Sequence, residues 1–179
     1  MKTLRYITGR GGNGKGGLSA HLATLSDDYD VLPIDPVFLA QDIEAQIDKV
    51  RAFAVLESAN VVANSCGAYL LLLSLIDRGR LPVRMLLLSP VLGRAISEER
   101  MLFSRPPREA TLHRAIEQER IGLPQHLEIV TGESDEICDP ALATWVGERL
   151  EIKVSLLAGE SHMINPHKVE EAVSRFLQR

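Results

Sequence analysis

The segment from Glu57 to Ile76 reads Glu-Ser-Ala-Asn-Val-Val-Ala-Asn-Ser-Cys-Gly-Ala-Tyr-Leu-Leu-Leu-Leu-Ser-Leu-Ile. Its β-branched pair Val61-Val62 is typical of a strand. Apolar side chains then recur at helical spacing between Ala68 and Leu75, which is typical of a buried helix. The segment therefore predicts a strand, an abrupt turn that carries Ser65, and a helix that packs in the core.

Two small residues flank this turn, Ala63 two positions before Ser65 and Gly67 two positions after it. A sharp strand-to-helix turn closes only when both positions are small, and it then projects the central side chain beyond the end of the sheet. The pentapeptide resembles the nucleophile elbow G-x-S-x-G, with alanine in place of the first glycine. The alternative is a small-residue turn in which Ser65 caps a core helix. The pentapeptide alone leaves both interpretations open.

The composition is that of an ordinary globular protein. The chain has 179 residues, of which 45% are hydrophobic and 25% are charged, and this predicts one domain spanning residues 1–179. A net charge of −4 and an aromatic content of 4% argue against nucleic acid or an anionic membrane surface as the main partner. The composition says nothing about the oligomeric state.

Cysteine usage and hydropathy indicate a compartment. Cys66 and Cys138 are too few for a disulfide framework, and the first six residues lack the apolar core of a signal peptide. The longest apolar stretch, Ala68 to Ile76, is much shorter than a membrane span. We expect a cytoplasmic protein with reduced thiols and no membrane span.

Strand and helix patterns alternate along the whole chain. This alternation predicts an α/β fold: a single doubly wound, mostly parallel sheet of about six strands with helices on both faces. The predicted strands are Leu4–Thr8, Asp30–Asp35, the strand around Val61-Val62, Val83–Leu88, Leu127–Thr131 and Ile152–Ala158. The predicted helices cover about 18–25, 41–56, 68–76 and 108–120, and two more begin at Asp139-Pro140 and Asn165-Pro166.

A glycine-rich loop, Gly9 to Gly17, follows the first strand, and three interpretations compete for it. Gly9, Gly11 and Gly14 fit the dinucleotide pattern G-x-G-x-x-G, and Asp35 follows at the spacing of a ribose-binding acid. A phosphate loop fits less well because Gly16 stands where Mg²⁺ coordination requires a hydroxyl. The third interpretation is an oxyanion-hole loop that points a backbone N–H toward a nucleophile. The loop alone does not choose between them.

The segment 94–122 is polar and rich in arginine, with a Pro106-Pro107 break. A solvated surface is one interpretation of this charge, and a lid or a substrate-facing arginine is the other. The segment is too short to form a large cap over the sheet.

Candidate catalytic residues occur where three of the predicted strands end. In a doubly wound sheet, ligands and catalytic groups collect beyond the carboxyl ends of the strands. Ser65, Asp135 and His162 each follow such an end, in the chain order Ser, Asp, His. With the elbow at Ser65, this order resembles the α/β-hydrolase superfamily, most closely its small cap-less serine hydrolases, in a minimal six-strand form.

The resemblance implies a role for each of these residues. Ser65 would be the nucleophile, His162 the base that takes its proton, and Asp135 the acid that fixes the imidazole tautomer. Asp139 is the rival for the acid. Backbone N–H groups of Cys66 and of either Arg10 or Gly11 would form the oxyanion hole. We expect no cofactor, and we find no His/Cys/Asp/Glu set with metal-ligand spacing.

The sequence thus favours a serine hydrolase that cleaves an ester or thioester bond of a small-molecule or acylated substrate through an acyl-enzyme. The first alternative is a nucleotide-binding or dinucleotide-binding α/β protein that uses Gly9, Gly11, Gly14 and Asp35. The second is a hydrolase-fold interaction protein that has lost turnover.

Overall fold

The computed structural model describes residues 3–55, 59–93, 96 and 106–178. The strands are β1 Leu4–Arg10, β2 Tyr29–Ile34, β3 Asn60–Asn64, β4 Leu81–Leu88, β5 Pro124–Gly132 and β6 Lys153–Leu157. The helices are α1 Leu18–Ala23, α2 Pro36–Leu39, α3 Ile43–Ala54, α4 Ser65–Ser74, α5 Glu109–Glu117, α6 Pro140–Leu150 and α7 Pro166–Gln178.

The six strands form one sheet in the order β2-β1-β3-β4-β5-β6, and every neighbouring pair is parallel. The chain starts inside the sheet, adds β2 at one edge, and returns past β1 to continue toward the other edge. The strand order therefore reverses between β1 and β3, where such sheets form a ligand crevice at their carboxyl ends. The predicted fold class, a doubly wound α/β sheet of about six strands, is confirmed.

Two apolar clusters cover the two faces of the sheet. The larger includes Val50 of α3, Leu71 of α4 and Val146 of α6, and the smaller includes Leu22 of α1 and Phe176 of α7. Side chains of the central strands alternate between these clusters, so both faces are buried. This explains why β3 and β4 read as continuous apolar runs.

Helix α4 is buried on all sides, since every residue from Gly67 to Ser74 is buried. A helix in such a position has no solvent-facing stripe, which is why its sequence is leucine after leucine. Its first turn lies directly on β1. A Cβ atom at Gly67 would lie 2.3 Å from the carbonyl oxygen of Thr8 and 2.7 Å from Cγ2 of Ile7. Only glycine permits this approach.

Two details differ from the sequence prediction. The sequence analysis assigned no element between Asp35 and the helix from 41, but the short helix α2 begins at Pro36, where the Asp35 side chain accepts a hydrogen bond from the N–H of Phe38 and caps it. The helix predicted over 41–56 begins later, at Ile43, where Asp42 is the capping residue. These caps were present in the sequence but were not interpreted as caps.

The segment 94–105, apart from residue 96, lies outside the described residues, and so does the lid hypothesis for it. The helix predicted over 108–120 is present as α5. Within the described part of the chain, no helix is both long and apolar enough to cross a membrane.

The contact of α4 with β1 predicts a large effect of adding one methyl group. Gly67→Ala should lower the free energy of unfolding by about 3 kcal/mol, because the backbone of Thr8 cannot move away from the new Cβ atom. Urea denaturation measures this. Gly79→Ala is the matched control, since nothing lies within 4 Å of a Cβ there, and it should stay within about 0.5 kcal/mol of the parent. Equal stability of the two variants would contradict the close contact.

Candidate active site

Ser65 lies at the tip of the turn between β3 and α4. Its φ of 50° is in the left-handed region, which non-glycine residues rarely occupy. Ala63 is fully buried beneath it, and Gly9 packs beside it, where a Cβ atom would lie 3.4 Å from Cβ of Ser65. The strained backbone and the small neighbours are the features expected of a nucleophile elbow.

The structure brings Ser65, His162 and Asp135 into one chain of hydrogen bonds. Ser65 Oγ lies 3.2 Å from Nε2 of His162. Nδ1 of the same ring lies 3.1 Å from each carboxylate oxygen of Asp135. With the proton on Nδ1 donated to Asp135, Nε2 is left as the acceptor for the hydroxyl of Ser65.

The loops that carry Asp135 and His162 are joined to each other by their backbones. The N–H of Ser134 donates to the carbonyl of Glu160 at 2.9 Å. A Cβ atom at Gly132 would lie 2.4 Å from the carbonyl oxygens of Glu160 and Ser161. Gly132, three residues before Asp135, therefore lets the acid loop pack directly against the histidine loop.

Asp135 is a fully buried carboxylate with several donors. It accepts hydrogen bonds from the N–H groups of Cys138 at 2.7 Å and Ile137 at 2.9 Å, and from Oγ1 of Thr131 at 3.2 Å. Burial by itself raises the pKa of Asp135, but the hydrogen bonds from His162 and the two backbone N–H groups outweigh it, and the net pKa is lowered. The carboxylate is ionised at neutral pH.

Asp139, the rival acid, has a different place. Its side chain accepts a hydrogen bond from the N–H of Ala141 at 2.9 Å and caps α6. The carboxylate that contacts His162 belongs to Asp135.

The predicted oxyanion donors are constrained by the backbone. Cys66 lies in the first turn of α4, where backbone N–H groups have no partner within the helix. Gly11 donates its N–H to the carbonyl of Ile34 at 2.8 Å. That N–H is therefore engaged with β2 and unavailable to an oxyanion. Arg10 remains the predicted donor from this loop.

Ser65 and His162 open onto a cleft of about 890 Å³ at the carboxyl end of the sheet. One side is formed by the glycine loop from Gly9 to Gly16. The other side is largely apolar, and its residues are Leu39, Ile43, Tyr69, Leu70, Val91, Pro106, Pro107, Ile137 and Met163. Tyr69 donates its hydroxyl to the carbonyl of Pro107 at 2.5 Å and so fixes this wall.

Cys138 is a site residue that the sequence analysis missed. Its buried Sγ lies 3.3 Å from Nδ1 of His162 and donates to the carbonyl of Ser89 at 2.8 Å. Burial raises the pKa of this thiol well above its usual range, so the sulfur is protonated.

Asp135, Cys138 and His162 form one group with potential metal-ligating atoms, all within 4.8 Å of one another, in the described part of the chain. This corrects the expectation that no such set exists. Sequence spacing could have suggested only Asp135 and Cys138, since His162 comes from a different loop.

The structure does not support Asp35 as the ribose-binding acid of the dinucleotide alternative. Asp35 is occupied as the cap of α2 and is not among the residues that line the cleft. The glycines at 9, 12, 14 and 16 do line it, and Gly9 packs against Ser65.

A scan against protein-family models finds no match, and no curated protein matches the sequence. Solved structures do match. A monoacylglycerol lipase of Paleococcus ferrophilus aligns with a TM-score of 0.71 at 13% identity, over 99% of this chain and 96% of that one. A Xanthomonas campestris pv. campestris protein assigned to the alpha/beta superfamily of hydrolases aligns with a TM-score of 0.65 at 13% identity, over 99% of both chains.

A third match is Thermogutta terrifontis esterase 2, in a form phosphorylated by paraoxon. It has a TM-score of 0.64 at 12% identity, over 98% of this chain and 82% of that one. At this level of identity the likeness shows the fold. The chain has the α/β-hydrolase fold, in a six-strand form, as the sequence predicted.

The lowered pKa of Asp135 predicts a pH-dependent contribution to stability. A carboxylate whose pKa is lower in the folded than in the unfolded state stabilises the fold above its unfolded pKa, about 3.9 for aspartate, and loses this effect as pH falls through the folded value. Asp135→Asn removes the ionisable group. The difference in unfolding free energy between parent and variant should therefore narrow between pH 5 and pH 3, as measured by urea denaturation.

The control for this measurement is Asp139→Asn. Asparagine caps helices about as well as aspartate, so this variant should stay near the parent at pH 5. A difference between the parent and Asp135→Asn that is the same at pH 5 and pH 3 would show that Asp135 carries no charge-dependent stabilisation.

Proposed function

We propose that the chain is a serine hydrolase that cleaves an ester or thioester bond through an acyl-enzyme. Ser65 is the nucleophile, His162 the general base and acid, and Asp135 the residue that orients the imidazole. The observation that carries the proposal is the continuous hydrogen-bond chain from Ser65 Oγ to Nε2 at 3.2 Å and from Nδ1 to Asp135 at 3.1 Å. Its reactive end lies at a strained turn that faces a cleft.

The reaction follows from this arrangement. Ser65 Oγ attacks the substrate carbonyl carbon while its proton passes to Nε2 of His162. The buried charge of Asp135 stabilises the imidazolium that forms. The backbone N–H groups of Cys66 and Arg10 hold the oxyanion. His162 then returns the proton to the departing oxygen or sulfur, and water, activated by the same imidazole, releases the acid.

The walls of the cleft indicate the kind of substrate. The apolar wall of the cleft, which includes Leu39 and Met163, suits an acyl chain, because burying the methylene groups of such a chain against these side chains is favourable. The glycine loop on the other side leaves room for the leaving group. We propose a small-molecule or acylated substrate with an apolar acyl group.

The solved relatives are compatible with this chemistry. A monoacylglycerol lipase and an esterase phosphorylated by paraoxon share the fold, and an organophosphorus compound is therefore a suitable probe. We further propose that the chain acts as a single domain, in the cytoplasm, without a cofactor. Asp35, the acid that the nucleotide alternative requires, caps α2 and does not line the cleft.

Substitutions in the triad should act as a unit. Ser65→Ala and His162→Ala should each lower kcat by about 10⁴-fold or more, and the double variant should lose little more, since either change removes the same step. Asp135→Asn should cost about 10³- to 10⁴-fold because the amide can donate to Nδ1 and so favours the wrong imidazole tautomer. Hydrolysis of p-nitrophenyl esters of increasing chain length measures these effects.

Asp139→Asn provides the matched control for the acid. It should keep kcat within a few-fold of the parent, because Asp139 caps a helix and does not touch His162. If Asp139→Asn loses activity and Asp135→Asn keeps it, the assignment of the acid is wrong.

A fluorophosphonate probe tests the proposed function without knowledge of the substrate. Such a probe reacts with an activated serine, and mass spectrometry should place the adduct on Ser65, with labelling at least about 10²-fold slower in His162→Ala. An unlabelled Ser65 in folded protein would refute the hydrolase proposal and support an interaction protein without turnover. A thermal shift with NAD or ATP, absent in Asp35→Ala, would support the nucleotide alternative.

A further inference from the structure

Cys138 places a sulfur beside Nδ1 of His162, the ring nitrogen that contacts Asp135 in the proposed triad. Its Sγ lies 3.3 Å from Nδ1 of His162, and Nδ1 lies 3.1 Å from Oδ2 of Asp135. Hydrolysis as proposed above does not use the thiol. The group therefore combines one imidazole, one carboxylate and one thiol, with all three ligating atoms within 4.8 Å of one another.

These are the three ligand types that bind zinc. Zn²⁺ takes imidazole nitrogen and carboxylate oxygen at roughly 2.0–2.2 Å and thiolate sulfur at roughly 2.3 Å, so its tetrahedral ligands stand roughly 3.3–3.8 Å apart. The separations of Nδ1 from Oδ2, 3.1 Å, and from Sγ, 3.3 Å, are close to this spacing, and the sulfur and the carboxylate oxygen lie within 4.8 Å of each other. A small displacement of His162, the most exposed of the three, would admit the ion.

The surroundings also fit a metal site. Oδ1 of Asp135 is held by two backbone N–H groups, and Oδ2 accepts from Oγ1 of Thr131. Donors of this kind hold a carboxylate in place and orient it toward a metal. In the metal-free site the Cys138 thiol donates to the carbonyl of Ser89 at 2.8 Å, and this hydrogen bond is given up when the sulfur binds as thiolate. The carboxylate ligand is therefore held by donors that do not depend on the thiol proton.

We propose that Asp135, Cys138 and His162 form an inhibitory Zn²⁺ site that switches off the triad. This proposal rests on the proposed function for its inhibitory effect and on the geometry alone for the binding of the ion.

The inhibition follows from the placement of protons. In the metal-free site the imidazole carries its proton on Nδ1, which leaves the Nε2 lone pair to accept from Ser65. When Nδ1 donates its lone pair to Zn²⁺, the proton of the neutral ring resides on Nε2 instead. Cys138 binds as thiolate, and its proton is released to solvent. Nε2 is then a donor, so the base for Ser65 is lost.

Zinc binding is tested first without reference to activity. Equilibrium dialysis of the whole chain should find one tightly bound Zn²⁺, and Co²⁺ in its place should give a thiolate-to-cobalt charge-transfer absorption. Outer-shell changes cost metal sites about 10- to 100-fold in affinity, so loss of the sulfur ligand in Cys138→Ser should cost at least about 100-fold and abolish the absorption. Cys66→Ser is the matched control and should keep both signals.

Inhibition is tested on each variant relative to its own rate without metal. Zn²⁺ should inhibit hydrolysis by the parent and by Cys66→Ser at the concentration at which it binds, and EDTA should restore the rate. Cys138→Ser should need at least about 100-fold more Zn²⁺. Inhibition that is equal in the parent and Cys138→Ser, or a cobalt spectrum without thiolate absorption, would overturn the proposal.

The two proposals fail separately. A chain that binds one Zn²⁺ through Cys138 but hydrolyses no ester and does not react with a fluorophosphonate would support the proposed zinc site and refute the hydrolase proposal. A chain that hydrolyses esters but neither binds Zn²⁺ nor is inhibited by it would support the hydrolase proposal and refute the proposed zinc site.

Discussion

The close contact between the first turn of α4 and the backbone of β1 is the constraint on which the rest of the structure depends. Because Gly67 has no side chain, the first turn of α4 can approach the carbonyl of Thr8, and the helix can start immediately at the end of β3. The start of the helix forces Ser65 into the left-handed region and raises its side chain above the sheet. The same contact puts the glycine loop after β1 beside Ser65, where Gly9 packs against it.

Hydrogen bonds to the buried charge of Asp135 hold the candidate active site in its geometry. A buried carboxylate is costly unless it is paired, and Asp135 meets that cost with two backbone N–H groups, a hydroxyl and the ring of His162. These donors lower its pKa despite burial. The N–H of Cys138 donates to the carboxylate of Asp135 that contacts the imidazole, so the same turn also places the Cys138 thiol next to the ring. The proposed control by zinc is a by-product of the same turn.

The sequence predicted the fold well because the relevant signals are local. Alternating strand and helix patterns suffice for a doubly wound sheet, and the small residues at 63 and 67 mark the elbow. Ser65, Asp135 and His162 were identified because each follows a strand end, and parallel strands bring their ends to one edge. The structure joins these three by hydrogen bonds, while their catalytic roles stay a proposal.

What the sequence did not predict depends on contacts between distant segments. The thiol of Cys138 belongs to the site only because it contacts His162, 24 positions later in the chain, and no spacing rule relates the two residues. The hydrogen bond from the N–H of Gly11, just after β1, to the carbonyl of Ile34 in β2 is not specified by a glycine-loop motif. Asp35 fits a ribose-binding position in the sequence, but its side chain is used locally, to cap the helix that follows.

The central claim is that Ser65 at this elbow is an activated nucleophile with an oxyanion hole beside it. A crystal structure of the chain after reaction with a fluorophosphonate tests it most directly. We predict phosphorus bonded to Ser65 Oγ, with its phosphoryl oxygen about 2.7–3.1 Å from the backbone nitrogen of Cys66. A covalent adduct on another residue, or a phosphoryl oxygen turned away from Cys66 toward solvent, would contradict the account.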